Sequence, residues 1–191
     1  MPALVRPANE AEAADAAAQL AAVPGRLILL YIPHVDFAAH VGGQQSEGYV
    51  EAIGIAGAIW RRLVTAVRGR AVVVGTADHG HIDIPPERRY RIPKPLHDGR
   101  IFSGDPRVMF VHGDGAAVAA DAPATWIRRP EMEEWWGPGP RHPGFEERAP
   151  DGVLVADDGH SLLHRFSDDR LIGQHGGLTS EELRIPLLVS A

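Results

Sequence analysis

Cysteine is absent from the 191-residue chain. Disulfide scaffolds, zinc ribbons, iron–sulfur clusters and thiol catalysis are therefore excluded. No apolar stretch approaches the length of about 18 residues that a membrane-spanning helix requires, so we expect no membrane span. A basic run is also lacking. The chain has 19 lysines and arginines and 25 aspartates and glutamates, for a net charge of −6. This acidic balance argues against duplex nucleic acid as a partner.

The composition is otherwise that of a globular protein. Apolar residues make up 45% and charged residues 23% of the chain, proportions that exclude a disordered chain. We expect a single domain over residues 1–191. The N-terminus has no apolar core of the signal-peptide type, which predicts a cytoplasmic location. Histidine occurs ten times, and since neutral imidazole is the commonest metal ligand, this frequency points to metal and phosphate chemistry.

The first third of the chain is predicted to alternate helices and strands. Residues 9–22 are rich in alanine, with acidic side chains near the start, and favour a helix. Residues 46–67 carry an apolar stripe at helical spacing, beginning at the plausible N-cap Ser46. The apolar runs 26–32 and 71–77 have the length of strands covered on both faces. This order predicts an α/β fold with a mostly parallel sheet and flanking helices.

The remainder of the chain is less regular. Prolines are frequent in residues 82–106 and 122–150, which predicts long irregular excursions there. Short strands are predicted over three further segments, the last of them after a short helical turn: 107–112, 152–157 and 184–190. The prediction is therefore four or five strands with few helices.

The first candidate group for chemistry follows the first apolar run. Asp36 and His40 lie four residues apart in the sequence PHVDFAAH. On a helical turn, this spacing places both side chains on one face. Carboxylate oxygen and imidazole nitrogen together suit zinc, manganese or iron. Taken alone, however, the pair is more typical of an ordinary helix start followed by a surface histidine.

Two further groups adjoin later strands. Asp78 and His79 are adjacent in TADHGH, where Gly80 permits the chain to turn so that both side chains reach one site. His175 lies among glycines in GQHGG. Each group alone is more typical of a turn or a flexible loop. Together with the first pair they indicate a site assembled from strand ends, where a pair of divalent ions can hold the attacking and leaving oxygens of a phosphoryl group.

The order of these motifs resembles a known family. D-x-x-x-H, then T-A-D-H-G, then H-G-G-L-T-x-x-E-x-x-x-P-L-L are similar to the motifs of the alkaline phosphatase superfamily, and most closely to those of its type I phosphodiesterase/nucleotide pyrophosphatase family. The resemblance covers about residues 26–191. It implies part of an alkaline-phosphatase-like sandwich and a metal-dependent phosphoric ester hydrolase that acts on a nucleotide or another small phosphate ester.

The resemblance also implies which residues bind metal. The family holds two ions, usually zinc, with one bound by Asp36, His40 and His175 and the other by Asp78 and His79. His81 follows the second motif and is a candidate for a group that supports a ligand from behind. The family forms its covalent intermediate on a threonine or serine.

That nucleophile and a further aspartate ligand belong to an N-terminal half of the family that this chain does not match. Residues 1–25 contain neither serine nor threonine. We therefore expect the C-terminal half of a family member, with no nucleophile, one tightly bound zinc and weak or no activity. Missing strands would leave a sheet edge open, which predicts a homodimer through that edge. The alternatives are an inactive module that binds metal or phosphate, or that serves as an interaction module, and a structural domain with incidental histidines.

Overall fold

The computed structural model of the protein describes residues 9–190, except for the side chain of Glu10. The described chain divides into two units. The first unit contains residues 9–78 together with 185–190, and the second contains residues 79–184. None of the helices within the described part has both the length and the apolar character needed to cross a membrane.

Within residues 9–190 there are six α-helices, ten short strands and three 3₁₀ helices. The 3₁₀ helices are Pro86–Arg88, Lys94–His97 and Arg129–Trp136. The α-helices are α1 (Glu10–Leu20), α2 (His34–Gly42), α3 (Glu47–Val67), α4 (Ala116–Ala119), α5 (Phe145–Arg148) and α6 (Ser180–Leu183). The strands are β1 (Val73–Thr76), β2 (Ile82–Asp83), β3 (Arg89–Arg91), β4 (Ile101–Gly104), β5 (Val108–His112), β6 (Ala124–Arg128), β7 (Gly152–Ala156), β8 (Ser161–Leu163), β9 (Gly173–Gln174) and β10 (Leu187–Ser190).

The two long helices of the first unit confirm the sequence predictions. The backbone N–H of Glu12 donates to the Asn9 side chain at the start of α1, at 2.9 Å. Ser46 caps α3 as predicted, because its hydroxyl oxygen accepts from the backbone N–H of Tyr49 at 3.1 Å. Each cap satisfies a donor that the first helical turn leaves without an intrahelical partner. These local signals determine where the helices begin.

The apolar run 26–32 corrects the prediction of a buried strand. The segment pairs with no strand of the described chain. Its side chains nevertheless alternate, because Leu27, Leu29 and Tyr31 are 99%, 93% and 70% exposed, while the residues between them are partly buried. This alternation is that of an extended backbone with one covered face and one open face. No strand is assigned to the run, and its alternate side chains lack a covering layer.

The strand predicted over 71–77 is present as β1, and the strand predicted over 184–190 as β10. The two pair antiparallel, with Val73 opposite Ser190 and Thr76 opposite Leu187. Coverage on both faces is not found, since Val74, Leu187 and Val189 are 58%, 72% and 63% exposed. The first unit therefore presents a considerable apolar surface on both its strand pair and the extended segment.

The main sheet of the second unit has four strands in the order β4-β5-β7-β6, and all its neighbours are antiparallel. Strands β5 and β7 confirm the predictions over 107–112 and 152–157. Their inward side chains form the core with Val118 of α4, and Met109, Val111 and Leu154 are fully buried there. Strand β6 lies inside 122–150, so the excursion predicted there contains one regular strand.

Two strand pairs complete the second unit. β3 runs parallel to β8, with Arg89 opposite Ser161, and β2 runs antiparallel to β9, with Ile82 opposite Gln174. The α/β class is confirmed, but among the described pairs only β3 and β8 are parallel, so the mostly parallel sheet is not found. The count of four or five strands is also too low. The proline-rich segment 82–106 contributes three strands between its turns, each too short for a hydrophobic period to show.

The core of the second unit can be tested with a large-to-small substitution. We expect Leu154→Ala to lower the free energy of unfolding by about 3 kcal/mol, because it removes buried methyl groups and leaves a cavity. The matched control is Leu183→Ala, since Leu183 is 60% exposed and its truncation should cost about 0.5 kcal/mol or less. Urea unfolding measures both. Equal losses in the two variants would contradict the described core.

Candidate metal centre

In the first unit, α2 places Asp36 and His40 on one face, and this confirms the prediction from their spacing. Nε2 of His40 lies 3.4 Å from Oδ1 of Asp36. Asp36 is in the first turn of the helix and His40 in the last, so the Asp36 carboxylate lies at the end of the helix dipole that favours negative charge. Both side chains are partly exposed, so an oxygen donor and a nitrogen donor lie side by side at the surface.

In the second unit, three histidine rings converge. His79 and His175 stack with their ring centroids 3.7 Å apart and an interplanar angle of 13°. His81 stands edge-on to both, at centroid distances of 5.1 Å from His79 and 5.3 Å from His175. Candidate ligand nitrogens of His81 and His175 lie within 4.8 Å of each other. Imidazoles grouped at this spacing form a donor set that suits zinc and similar ions.

The strand pair β2–β9 explains why these histidines meet. His81 directly precedes β2 and His175 directly follows β9, and the antiparallel register sets Ile82 opposite Gln174. The two histidines are therefore brought to the same end of a two-residue ladder. His81 is also buried, with 8% of its surface exposed. From the sequence, His81 is expected only to orient a metal ligand, because the motif resemblance places no ligand at that position.

Gly80 lies between two of the histidines and has a specific steric requirement. Its N–H donates to the backbone carbonyl of Glu182 at 2.8 Å. A Cβ placed on Gly80 would lie 2.0 Å from the carbonyl oxygen of Glu181, closer than atoms can approach. Its φ is not positive, so what requires glycine here is the close approach of two chain segments.

His79 is oriented by its own backbone. Its Nδ1 lies 3.1 Å from the carbonyl oxygen of Gly80. Since a carbonyl only accepts, Nδ1–H is the donor in this contact, which fixes the tautomer and the orientation of the ring. Asp78 is exposed at the end of the first unit. The assignment of Asp78 and His79 to a second ion stays a prediction.

The loop after His175 is held by a buried carboxylate that the sequence analysis did not single out. Glu182 accepts from the N–H of Gly177 at 2.9 Å and from the hydroxyl of Thr179 at 2.8 Å. Arg107 pairs with the same carboxylate. Burial raises the pKa of Glu182, but the hydrogen bonds from Arg107, Thr179 and Gly177 outweigh burial and hold the pKa below its usual value. Glu182 was visible in the third motif, whereas Arg107 had no signal beyond lying at a strand start.

The fold of the chain resembles that of solved structures, although its sequence has no close match. No protein-family model and no curated protein matches the chain by sequence. Among solved structures, an inactive variant of murine ectonucleotide pyrophosphatase/phosphodiesterase 5 in complex with AMP is similar, with a TM-score of 0.72 and 22% identity. The human counterpart has a TM-score of 0.67 and 19% identity. Each comparison covers 96% of this chain and 54% of the other.

A second kind of enzyme has the same fold. Phosphonoacetate hydrolase from Sinorhizobium meliloti, in complex with phosphonoacetate, aligns with a TM-score of 0.56 and 18% identity, over 81% of this chain and 43% of that one. Both kinds of neighbour belong to the alkaline phosphatase superfamily. The chain has an alkaline-phosphatase-like fold. It spans about half the length of the structures that share this fold.

The close approach at Gly80 gives a test of the loop. We expect Gly80→Ala to lower the free energy of unfolding by about 2 kcal/mol, because the added methyl group forces the chain away from Glu181. Gly54→Ala is the matched control, since nothing lies within 4 Å of a Cβ there and alanine in a helix interior should stabilise by about 0.5–1 kcal/mol. Opposite signs in urea unfolding are expected. A neutral Gly80→Ala variant would refute the close approach.

The lowered pKa of Glu182 predicts how stability depends on pH. An unfolded glutamate binds a proton near pH 4.3, whereas folded Glu182 binds one only at lower pH. The contribution of this residue is therefore present above about pH 4.3 and is lost as the pH falls towards the folded pKa. Unfolding free energies measured from pH 5 to pH 3 should fall less steeply in Glu182→Gln than in the wild type. The exposed control Glu147→Gln should keep the wild-type slope.

Proposed function

We propose that the protein is a metal-dependent hydrolase of small phosphoric esters, and that Asp36, His40 and His175 bind one divalent cation, with zinc the first candidate. The observation that carries the proposal is the convergence of His79, His81 and His175 in a chain with an alkaline-phosphatase-like fold. Neutral imidazole is the commonest protein ligand of metal ions.

The donor chemistry supports this proposal in each unit separately. The first unit offers a carboxylate and an imidazole 3.4 Å apart. The second offers imidazole nitrogens within 4.8 Å of each other. The motif resemblance assigns Asp36, His40 and His175 to one ion, and we add His81 as a fourth candidate donor because one of its ring nitrogens lies within 4.8 Å of a ring nitrogen of His175. Three imidazoles and one carboxylate would form a mixed nitrogen and oxygen set of the kind that zinc accepts.

The remaining residues orient these donors. The Nδ1–H of His79 donates to the Gly80 carbonyl oxygen, which orients the ring, and we assign His79 with Asp78 to a second, weaker ion. Burial of His81 excludes water from one side of the ring cluster. A divalent cation held there supplies positive charge to the phosphoryl oxygens of a substrate.

The substrate class is proposed from the neighbours. The murine phosphodiesterase structure contains AMP and the bacterial hydrolase structure contains phosphonoacetate. Both are small molecules with a tetrahedral phosphorus group bearing anionic oxygens. We therefore propose a small phosphate or phosphonate compound for this protein, with nucleotides as the first group to be assayed.

Metal content decides the first part of the proposal. Purified protein, loaded with zinc and desalted, should retain about one zinc per chain by elemental mass spectrometry. Asp36→Ala and His175→Ala should lose it. His142→Ala is the control, because His142 is exposed and its Nδ1 only accepts from the backbone N–H of Gly144. Zinc retained in both ligand variants would refute the assignment.

Turnover decides the second part. With zinc present, bis(p-nitrophenyl) phosphate should be hydrolysed slowly by the wild type and by His142→Ala, since no serine or threonine of this chain matches the family's nucleophile. Asp36→Ala and His175→Ala should lose at least about 100-fold in rate, since the charge that stabilises the phosphoryl transition state is gone. Zinc binding with no turnover of phosphodiesters, nucleotides or phosphonates would overturn the hydrolase proposal and favour a binding module.

A further inference from the structure

Arg107 and Glu182 form a buried ion pair in the second unit. The two residues are 1% and 2% exposed. Nε of Arg107 donates to Oε1 of Glu182 at 3.0 Å, and Nη2 donates to Oε2 at 3.0 Å. The third guanidinium nitrogen, Nη1, donates to the carbonyl oxygens of Asp157, at 2.9 Å, and His160. All three guanidinium nitrogens thus donate hydrogen bonds, and the planar fork of Nε and Nη2 matches the two carboxylate oxygens.

The pair is not explained by stability alone. Removing two charges from water costs several kcal/mol per ion before their attraction is counted, and well-packed apolar residues often serve as well in the same position. What apolar residues cannot do is accept hydrogen bonds. Both carboxylate oxygens of Glu182 accept additional bonds beyond those from Arg107, so the role of the pair lies in the segments that these bonds hold.

Glu182 binds both chain segments that carry the clustered histidines. Its carboxylate accepts from Gly177, two residues after His175, and from Thr179. Its backbone carbonyl accepts from the N–H of Gly80, between His79 and His81. A Cβ on Gly177 would lie 2.5 Å from Oε2 of Glu182, so the loop after His175 lies directly against the carboxylate.

We propose that Glu182, held in place by Arg107, is a positioning residue that sets the geometry of the His79, His81 and His175 rings. The β2–β9 ladder places His81 and His175 at the same end of the strand pair. Glu182 holds the chain close to these histidines, at Gly80 and at Gly177. The consequence for metal binding rests on the proposed function, since a cation would need correctly spaced imidazole rings. The spacing itself is a property of the chain and can be measured without metal.

The first test measures ring geometry without metal. Two imidazoles stacked at 3.7 Å shift each other's ring protons upfield, and histidine ¹H–¹³C correlation spectra detect these shifts. In Glu182→Gln the carboxylate charge that holds Arg107 is lost, and we expect the shifted signals of His79 and His175 to move towards those of exposed histidines. The exposed neighbour Glu181→Gln is the control and should keep the wild-type spectrum.

The second test measures zinc affinity. Substituting a residue that orients metal ligands typically lowers metal affinity by about 10- to 100-fold. We expect a loss of zinc affinity of this size in Glu182→Gln. Glu181→Gln should lose less than about 2-fold. Leu154→Ala serves as a stability control, because it destabilises the same unit from the core without touching the ring cluster. Under conditions where it is folded, it should keep wild-type affinity.

A double variant separates positioning from folding if Glu182→Gln unfolds. Arg107→Met combined with Glu182→Leu replaces the ion pair with apolar side chains of similar size, a change that folded proteins often tolerate. The double variant should fold cooperatively and still lose the stacked ring signals and the zinc affinity.

The outcomes are distinguishable. Wild-type ring signals in a folded Glu182 variant would overturn the positioning proposal, as would an equal loss of zinc affinity in Leu154→Ala. If the wild-type protein binds no zinc, the proposed function fails, and the ring spectra still decide whether Glu182 positions the histidines.

Discussion

Arg107 and Glu182 lie out of reach of solvent, so neither charge can be left without partners. The guanidinium donates hydrogen bonds to the carboxylate and to two backbone carbonyls. The carboxylate also accepts hydrogen bonds from the loop after His175. This requirement draws together the start of β5, the turn between β7 and β8, and α6. The histidine-bearing segments are attached to the same point through Gly80 and Gly177. A constraint on burying charge therefore becomes a constraint on where the imidazoles lie.

The parts of the structure that the sequence predicts are those determined within a few residues. The start of α3 is readable because Ser46 and the N–H that it caps are three residues apart. The shared face of Asp36 and His40 is readable because helical periodicity alone sets it. Strands β5 and β7 are readable because their short apolar runs contain β-branched valines and are flanked by turn residues, which together favour a strand. The convergence of His81 with His175 required a strand pairing that no local pattern contains.

Other features depend on partners far away in the chain. Arg107 and Glu182 are 75 residues apart, and nothing in the composition near Arg107 distinguishes it from a surface arginine. For the run 26–32, by contrast, the sequence predicts a feature that the structure lacks. Its apolar composition predicts a buried strand but contains no information on whether other segments pair with it or cover it. The low strand count has the same origin, since pairings of two or three residues are set by the neighbouring segment rather than by a hydrophobic period of their own.

The open side of residues 26–32 offers a practical handle. The chain contains no cysteine, and Leu27 is 99% exposed on an extended backbone. A Leu27→Cys variant would therefore place the sole thiol of the protein where a maleimide dye can reach it without disturbing any packed side chain. Its fluorescence would report directly on whatever polypeptide comes to lie over that face, without the histidines or the ion pair being altered.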